Sequence, residues 1–183
     1  MMLAGLILFF GMHLVPSVPG VREGLVARMG ENPYKGLFAL VSIGGLVLFG
    51  FGFADRDYHE LWTTPAWGPH LAMTVMPVVF VLWLAGEGKG RIRKKLKHPM
   101  VYGTFLWSLV HLVNNGDLGS VYLFGGFALY SLFAVYSANR RGKVPNYTEP
   151  RGRSDVISVV GGLALYGLVL WGHEFVLGVS PGI

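Results

Sequence analysis

The sequence predicts an all-α fold: a polytopic transmembrane helical bundle of about six helices, with both termini on the non-cytoplasmic side. Three observations lead there. The 183 residues are 52% hydrophobic and only 14% charged, where a soluble domain carries about a quarter charged residues. The apolar residues gather into runs close to the roughly 20 residues a helix needs to cross a bilayer. The basic residues sit in alternate connecting segments.

The runs cover residues 2–18, 36–54, 69–85, 99–115, 118–138 and 156–179. The first lacks the basic opening and small-residue cleavage site of a signal peptide, so it reads as an uncleaved span. Pro77 inside the third predicts a kink. The strictly apolar part of the fourth is short. His98-Pro99 marks its start, since proline suits the first turn of a helix. It ends in Asn114-Asn115-Gly116-Asp117, a turn signal that predicts a tight hairpin with the fifth run. Nothing resembling a soluble domain remains, so residues 1–183 read as one integral membrane domain.

Of the 15 Lys and Arg residues, only Arg56 falls in an even-numbered loop. Arg22, Arg28 and Lys35 occupy the first loop, Lys89 to Lys97 the third, and Arg140 to Arg153 the fifth. Odd-numbered loops are therefore predicted to face the cytoplasm. The net charge of +5 does not indicate nucleic acid, because the basic residues lie between apolar spans rather than on one soluble face. They read as topology signals and anchors to membrane lipid. The run 89–97 has a second reading, a site for an anionic headgroup or a cofactor phosphate. There is no cysteine, which excludes disulfides, thiolate ligands and a cysteine nucleophile. No serine–histidine–carboxylate set, Walker loop or GxGxxG pattern stands out.

Glycine pairs 44–45, 125–126 and 161–162 lie inside spans. They suit close helix packing or room for a flat ligand. Of the six histidines, His59, His70, His98 and His173 lie near or beyond span ends and read as interfacial. Asp117 and Glu174 are expected at the outer surface, where an interaction with His70 or His173 is one reading that the spacing does not establish. His13 and His111 differ, because polar residues deep in a bilayer are costly and face the protein interior. At ~1.5 Å per residue, His13 lies roughly 16 Å from the start of its span and His111 roughly 18 Å from the start of its own. Both depths fall near the middle of a core about 30 Å thick. Two imidazoles at one depth, on helices running in opposite directions, suit the axial positions of a haem. The competing reading is hydrogen bonding across helices. Gly103, Trp107 and His111 share one helix face, as do Gly5, Phe9 and His13. A glycine and an aromatic ring beside each imidazole make a wall for a porphyrin. Arg22 suits a haem propionate or serves as a topology charge.

These residues carry a resemblance. His98-Pro99-Met100, Gly103, Trp107, His111-Leu112 and Asn115-Gly116-Asp117, in that order, resemble the NnrU family of bacterial membrane proteins. Gly11-Met12-His13 with Arg22 matches as well. So do residues 34–42 and the stretch from Leu61-Trp62 through Trp67, His70 and Met76. The resemblance covers most of the chain and weakens in its last third. It implies a bacterial inner-membrane protein associated with denitrification and nitric oxide metabolism. The family is also similar to the plant 15-cis-zeta-carotene isomerase, which holds haem b through histidines of the regions matching His13 and His111. Ser108 stands where that relative has a cysteine, so a thiolate ligand switch is not available here.

The resemblance thus implies haem b held by His13 and His111, with Gly103, Trp107 and Arg22 around it. It implies a redox-gated, isomerase-like enzyme acting on an apolar isoprenoid, or a protein that binds nitric oxide. The alternative is a non-enzymatic electron-transfer or maturation partner of a denitrification-system protein. A membrane methyltransferase is a third reading, since His98-Pro99 followed by glycine and tryptophan recurs in that class. The stretch from Arg140 to Asp155 lacks the adjacent glutamates such enzymes carry.

Overall fold

A computed structural model gives the fold of residues 1–180, the side chain of Leu177 aside. Its described residues form eight helices: α1 (Met2–Leu14), α2 (Val21–Met29), α3 (Glu31–Ala54), α4 (Gly68–Glu87), α5 (Arg91–Leu96), α6 (Pro99–Asn114), α7 (Leu118–Arg140) and α8 (Gly152–Leu177). The all-α expectation holds. Four helices, α3, α4, α7 and α8, are long and apolar enough to cross a membrane. The number rises to five if residues 2–17 and α2, bent 94° apart, form one broken span.

Two of the six expected spans fall short of a full crossing. The first run stops as an α-helix at Leu14 and continues as a 3-10 turn, Val15–Ser17, through Pro16. Gly20 then takes a positive φ of 78°, and the chain turns into the polar α2, which the hydropathy pattern does not mark. The fourth run is a helix of 16 residues, about 24 Å long against a core of about 30 Å. The short basic α5 also falls in a stretch read only as a loop.

The chain divides into two compact units, Met1–His59 and the part from Glu60 onward. In the first, α1 packs along α3. The contact is made by glycine: a Cβ on Gly45 would lie 2.8 Å from the Gly5 carbonyl oxygen and 2.9 Å from the Phe9 nitrogen. Leu6, Phe9, Tyr34 and Phe49 are buried around this crossing, while Ile7, Leu40 and Phe51 point outward.

In the second unit, α4 is the central helix, flanked by α6 and α8, and α7 packs on α6. Val79, Phe80, Leu82 and Ala85 of α4 form its core with Val110 of α6 and Phe124 and Ala128 of α7. The contact of α8 with α4 is again a glycine contact, since a Cβ on Gly162 would meet the Val81 backbone at 2.7 Å. Pro77 lies inside α4, which runs on to Glu87. Small residues at the contacts and large apolar ones outside are the pattern of helices that pack in lipid.

The predicted start of α6 at Pro99 and the hairpin into α7 are both present. The linking residues do more than turn the chain. The Gly116 carbonyl accepts from the amides of Leu61 (2.7 Å) and Trp62 (3.1 Å), and Thr64 donates to the Asn114 carbonyl at 2.8 Å. Asn114 donates in turn to the carbonyls of Val110 (2.8 Å) and Gly68 (3.2 Å). Asp117 is buried and caps α7, accepting from the Ser120 amide at 3.1 Å and its hydroxyl at 2.5 Å.

Candidate functional site

His13 and His111 occupy matching local positions, each within its own unit. His13 lies in the last turn of α1 and His111 in the last turn of α6. Each helix is shorter than a full span, so each imidazole sits beside a helix C-terminus. The carbonyl end of a helix carries a partial negative charge that favours a cationic centre nearby.

The hydrogen bonding is also the same. His13 Nδ1 donates to the Phe9 carbonyl at 2.8 Å, and His111 Nδ1 donates to the Trp107 carbonyl at 2.8 Å. A carbonyl oxygen only accepts, so the proton is on Nδ1 and a neutral ring carries its lone pair on Nε2. A hydrogen bond of this kind fixes the tautomer and ring orientation of a metal-ligating histidine.

Aromatic rings bracket both imidazoles. Phe9 stacks on His13 at a centroid distance of 4.1 Å, and Phe38 of α3 lies 4.9 Å away. Trp107 lies 4.9 Å from His111 and Phe124 lies 4.8 Å from it. Phe124 belongs to a π-helical turn, Val121–Gly125, within α7. Such turns are rare and concentrate at functional sites. Neither Phe38 nor Phe124 was expected beside a histidine. A ring at i+4 on the same helix shows in the spacing, whereas a ring supplied by another helix does not.

The remaining expected site residues are engaged inside their own units. Trp107 packs edge-on against Phe124 (5.0 Å) and Phe127 (5.3 Å). Gly103 is a packing glycine: a Cβ there would lie 3.0 Å from Trp83 and 3.2 Å from Leu82, so α4 fills the space beside it. Arg22 forms a two-pronged ion pair with Glu31, at 2.9 and 3.1 Å, above the Tyr34 ring. Ser108 is fully buried and donates to the Thr104 carbonyl at 2.7 Å.

Two of the histidines read as interfacial have protein partners. His98 pairs with Asn139 at 3.2 Å, and His173 Nδ1 donates to the Val179 carbonyl at 2.7 Å. His59 and His70 are exposed. Among the described residues no group of three or more His, Cys, Asp or Glu converges on one point. A haem brings four nitrogens of its own and asks the protein for axial ligands only. Taken singly, each imidazole, with its lone pair on Nε2, has the form of one such ligand.

No curated protein and no solved structure matches the chain. A family model described as the NnrU protein matches residues 1–181. The match spans almost the entire sequence, and the chain belongs to the NnrU family.

Proposed function

We propose that this integral membrane protein binds haem b through His13 and His111. The supporting observation is the shared arrangement of the two rings: last turn of a short helix, Nδ1 held by the carbonyl four residues back, aromatic rings alongside. When bound, a b-type haem supplies a one-electron centre and, once an axial ligand leaves, an open coordination position. The protein's own part is to fix the two tautomers, to exclude water with Phe9, Phe38, Trp107 and Phe124, and to place both imidazoles at helix C-termini. Arg22, which pairs with Glu31 through one nitrogen of its guanidinium, is the candidate partner for a haem propionate.

In this reading the protein is a redox- or gas-responsive enzyme of denitrification and nitric oxide metabolism. It acts in an isomerase-like manner on an apolar isoprenoid substrate, or it binds nitric oxide. The alternative is a non-enzymatic electron-transfer or maturation partner of a denitrification protein, and turnover of added substrate separates the two. The basic loops face the cytoplasm of a bacterial inner membrane, with α1 and α6 as short crossings and both termini outside. Reporter fusions after Asp57 and Lys143 test this orientation, and activity of both on the same side refutes it.

Oxidised and dithionite-reduced absorption spectra of the purified protein test the haem assignment, beside His13→Ala, His111→Ala and His173→Ala. Loss of sharp reduced α and β bands in the first two variants, with His173→Ala unchanged, is the expected result. Loss in His111→Ala and His173→Ala but not in His13→Ala moves the second ligand to α8. No band in any haem-supplied preparation makes the histidines packing residues.

A further inference from the structure

Two adjoining cavities in the second unit form a feature that the histidines do not use. The first, of about 410 Å³, lies at the basic end of α6 and α7 and is lined by Lys95, Lys97, Lys143, Tyr102 and Asn139. The second, of about 300 Å³, runs along α6 and α7 between Val101, Phe105, Leu132 and Val135. Tyr102 belongs to both, so a cationic chamber opens into an apolar groove.

Each part has groups available for a ligand. The ammonium groups of Lys95, Lys97 and Lys143 have no hydrogen-bond or ion-pair partner among the described residues. Three cations on one chamber without a carboxylate suit an anion. Lys97 is held there by an uncommon backbone: φ is 64° and ψ is −52°, and the His98 amide donates to the Leu96 carbonyl at 2.8 Å across it. This is a γ turn of the rare, strained hand, and strain of this sort gathers where a ligand is held. The Asn139 carbonyl oxygen is taken by His98, which leaves its amide N–H groups as donors. In the apolar groove, Ser131 is 1% exposed and its hydroxyl has no partner. A buried hydroxyl without a partner is costly, and a ligand carbonyl oxygen would satisfy it.

We infer that the chamber and groove together bind one anionic phospholipid. Its phosphate headgroup lies among Lys95, Lys97, Lys143 and the Asn139 amide, and an acyl chain lies in the groove with its ester region near Ser131. The charge selects the headgroup, and the continuity of chamber and groove distinguishes a bound lipid from a free phosphate.

The test is native mass spectrometry of the full-length protein released from nanodiscs of mixed phosphatidylglycerol and phosphatidylcholine. The wild type should retain phosphatidylglycerol at least about tenfold over phosphatidylcholine. Lys95→Gln/Lys97→Gln/Lys143→Gln should lose the preference. Lys89→Gln/Arg91→Gln/Arg153→Gln, which removes the same charge outside the chamber, should keep it. The single change Lys143→Gln, in an exposed loop, should weaken retention about fivefold and serves if the triple variant does not fold. Equal retention of the two lipids, or equal loss in both triple variants, overturns the proposal. So does displacement of the lipid by soluble glycerol phosphate, which would identify a site for free phosphate.

Discussion

Gly44 and Gly45 are neighbours in α3, yet the structure assigns them opposite responses to the same change. A Cβ on Gly45 would lie 2.8 Å from the Gly5 carbonyl oxygen, 2.9 Å from the Phe9 nitrogen and 3.2 Å from the Phe9 Cβ. The first two are backbone atoms of α1 and cannot rotate away. Ordinary contact begins at 3.4 Å, so α1 must withdraw by about 0.6 Å, the gap between 2.8 and 3.4 Å. Overpacking of this kind costs about 1–3 kcal/mol. A Cβ on Gly44 would meet nothing within 4 Å. Both exchanges to alanine gain the same helix propensity, up to about 1 kcal/mol, so the difference between them isolates the steric cost. Gly45→Ala is therefore expected to be less stable than Gly44→Ala by about 1–3 kcal/mol, or about 5- to 150-fold in the folding constant. Helix content followed by circular dichroism, as dodecyl sulfate is titrated into protein in a mild detergent, measures both midpoints. Equal midpoints, or a lower one for Gly44→Ala, would refute the glycine-mediated crossing. The effect also reaches the candidate site, because Phe9 supplies both the carbonyl that holds His13 and the ring stacked on it.

Three further changes probe how the helices are joined. Asp117→Ala removes the cap of α7 and its two bonds to Ser120, and is expected to cost about 1–2 kcal/mol in the same titration; no shift would mean that the cap is dispensable. Asp155 accepts from the amides of Arg91 (2.9 Å) and Ile92 (3.0 Å) at the start of α5. Asp155→Ala should speed hydrogen exchange across α5 while the amides of α4 stay protected, and uniform exchange would refute a local role. Glu31→Gln breaks the pair with Arg22, whose side chain is 36% exposed. At most about 1 kcal/mol should be lost at low salt and less at high salt; a loss that persists at high salt would point to a buried role for Arg22.

How each feature could be read depended on which physical signal it left along the chain. Hydropathy marked α3, α4, α7 and α8, because a lipid-facing helix must be apolar over its whole length. Proline chemistry marked the start of α6 at Pro99, and the Asn-Asn-Gly-Asp turn marked its hairpin with α7. The same hydropathy carried the first run past Leu14, where the α-helix gives way to a 3-10 turn at Pro16, whereas the short fourth run matches its helix to within one residue. The polar α2 and the basic α5 left no apolar run at all. His13 and His111 stood out because a polar residue within an apolar run is expensive.

The sequence by itself thus determined a membrane protein, most of its long helices, the family and the two histidines. These all follow from burial cost and from short-range turn chemistry, which act over a few residues of chain. Tertiary structure decided that Gly45 rather than Gly44 meets α1, that Gly161 and Gly162 both face α4, and that Gly103 faces Trp83 and Leu82. It also decided that Phe38 and Phe124 stand beside the imidazoles, that Glu31 holds Arg22, and that three lysines share a chamber opening into a groove. Each of those depends on residues from different helices, or on which side of a helix meets its neighbour. Nothing in the local pattern encodes that meeting, because the outer and inner faces of a helix in lipid are both apolar.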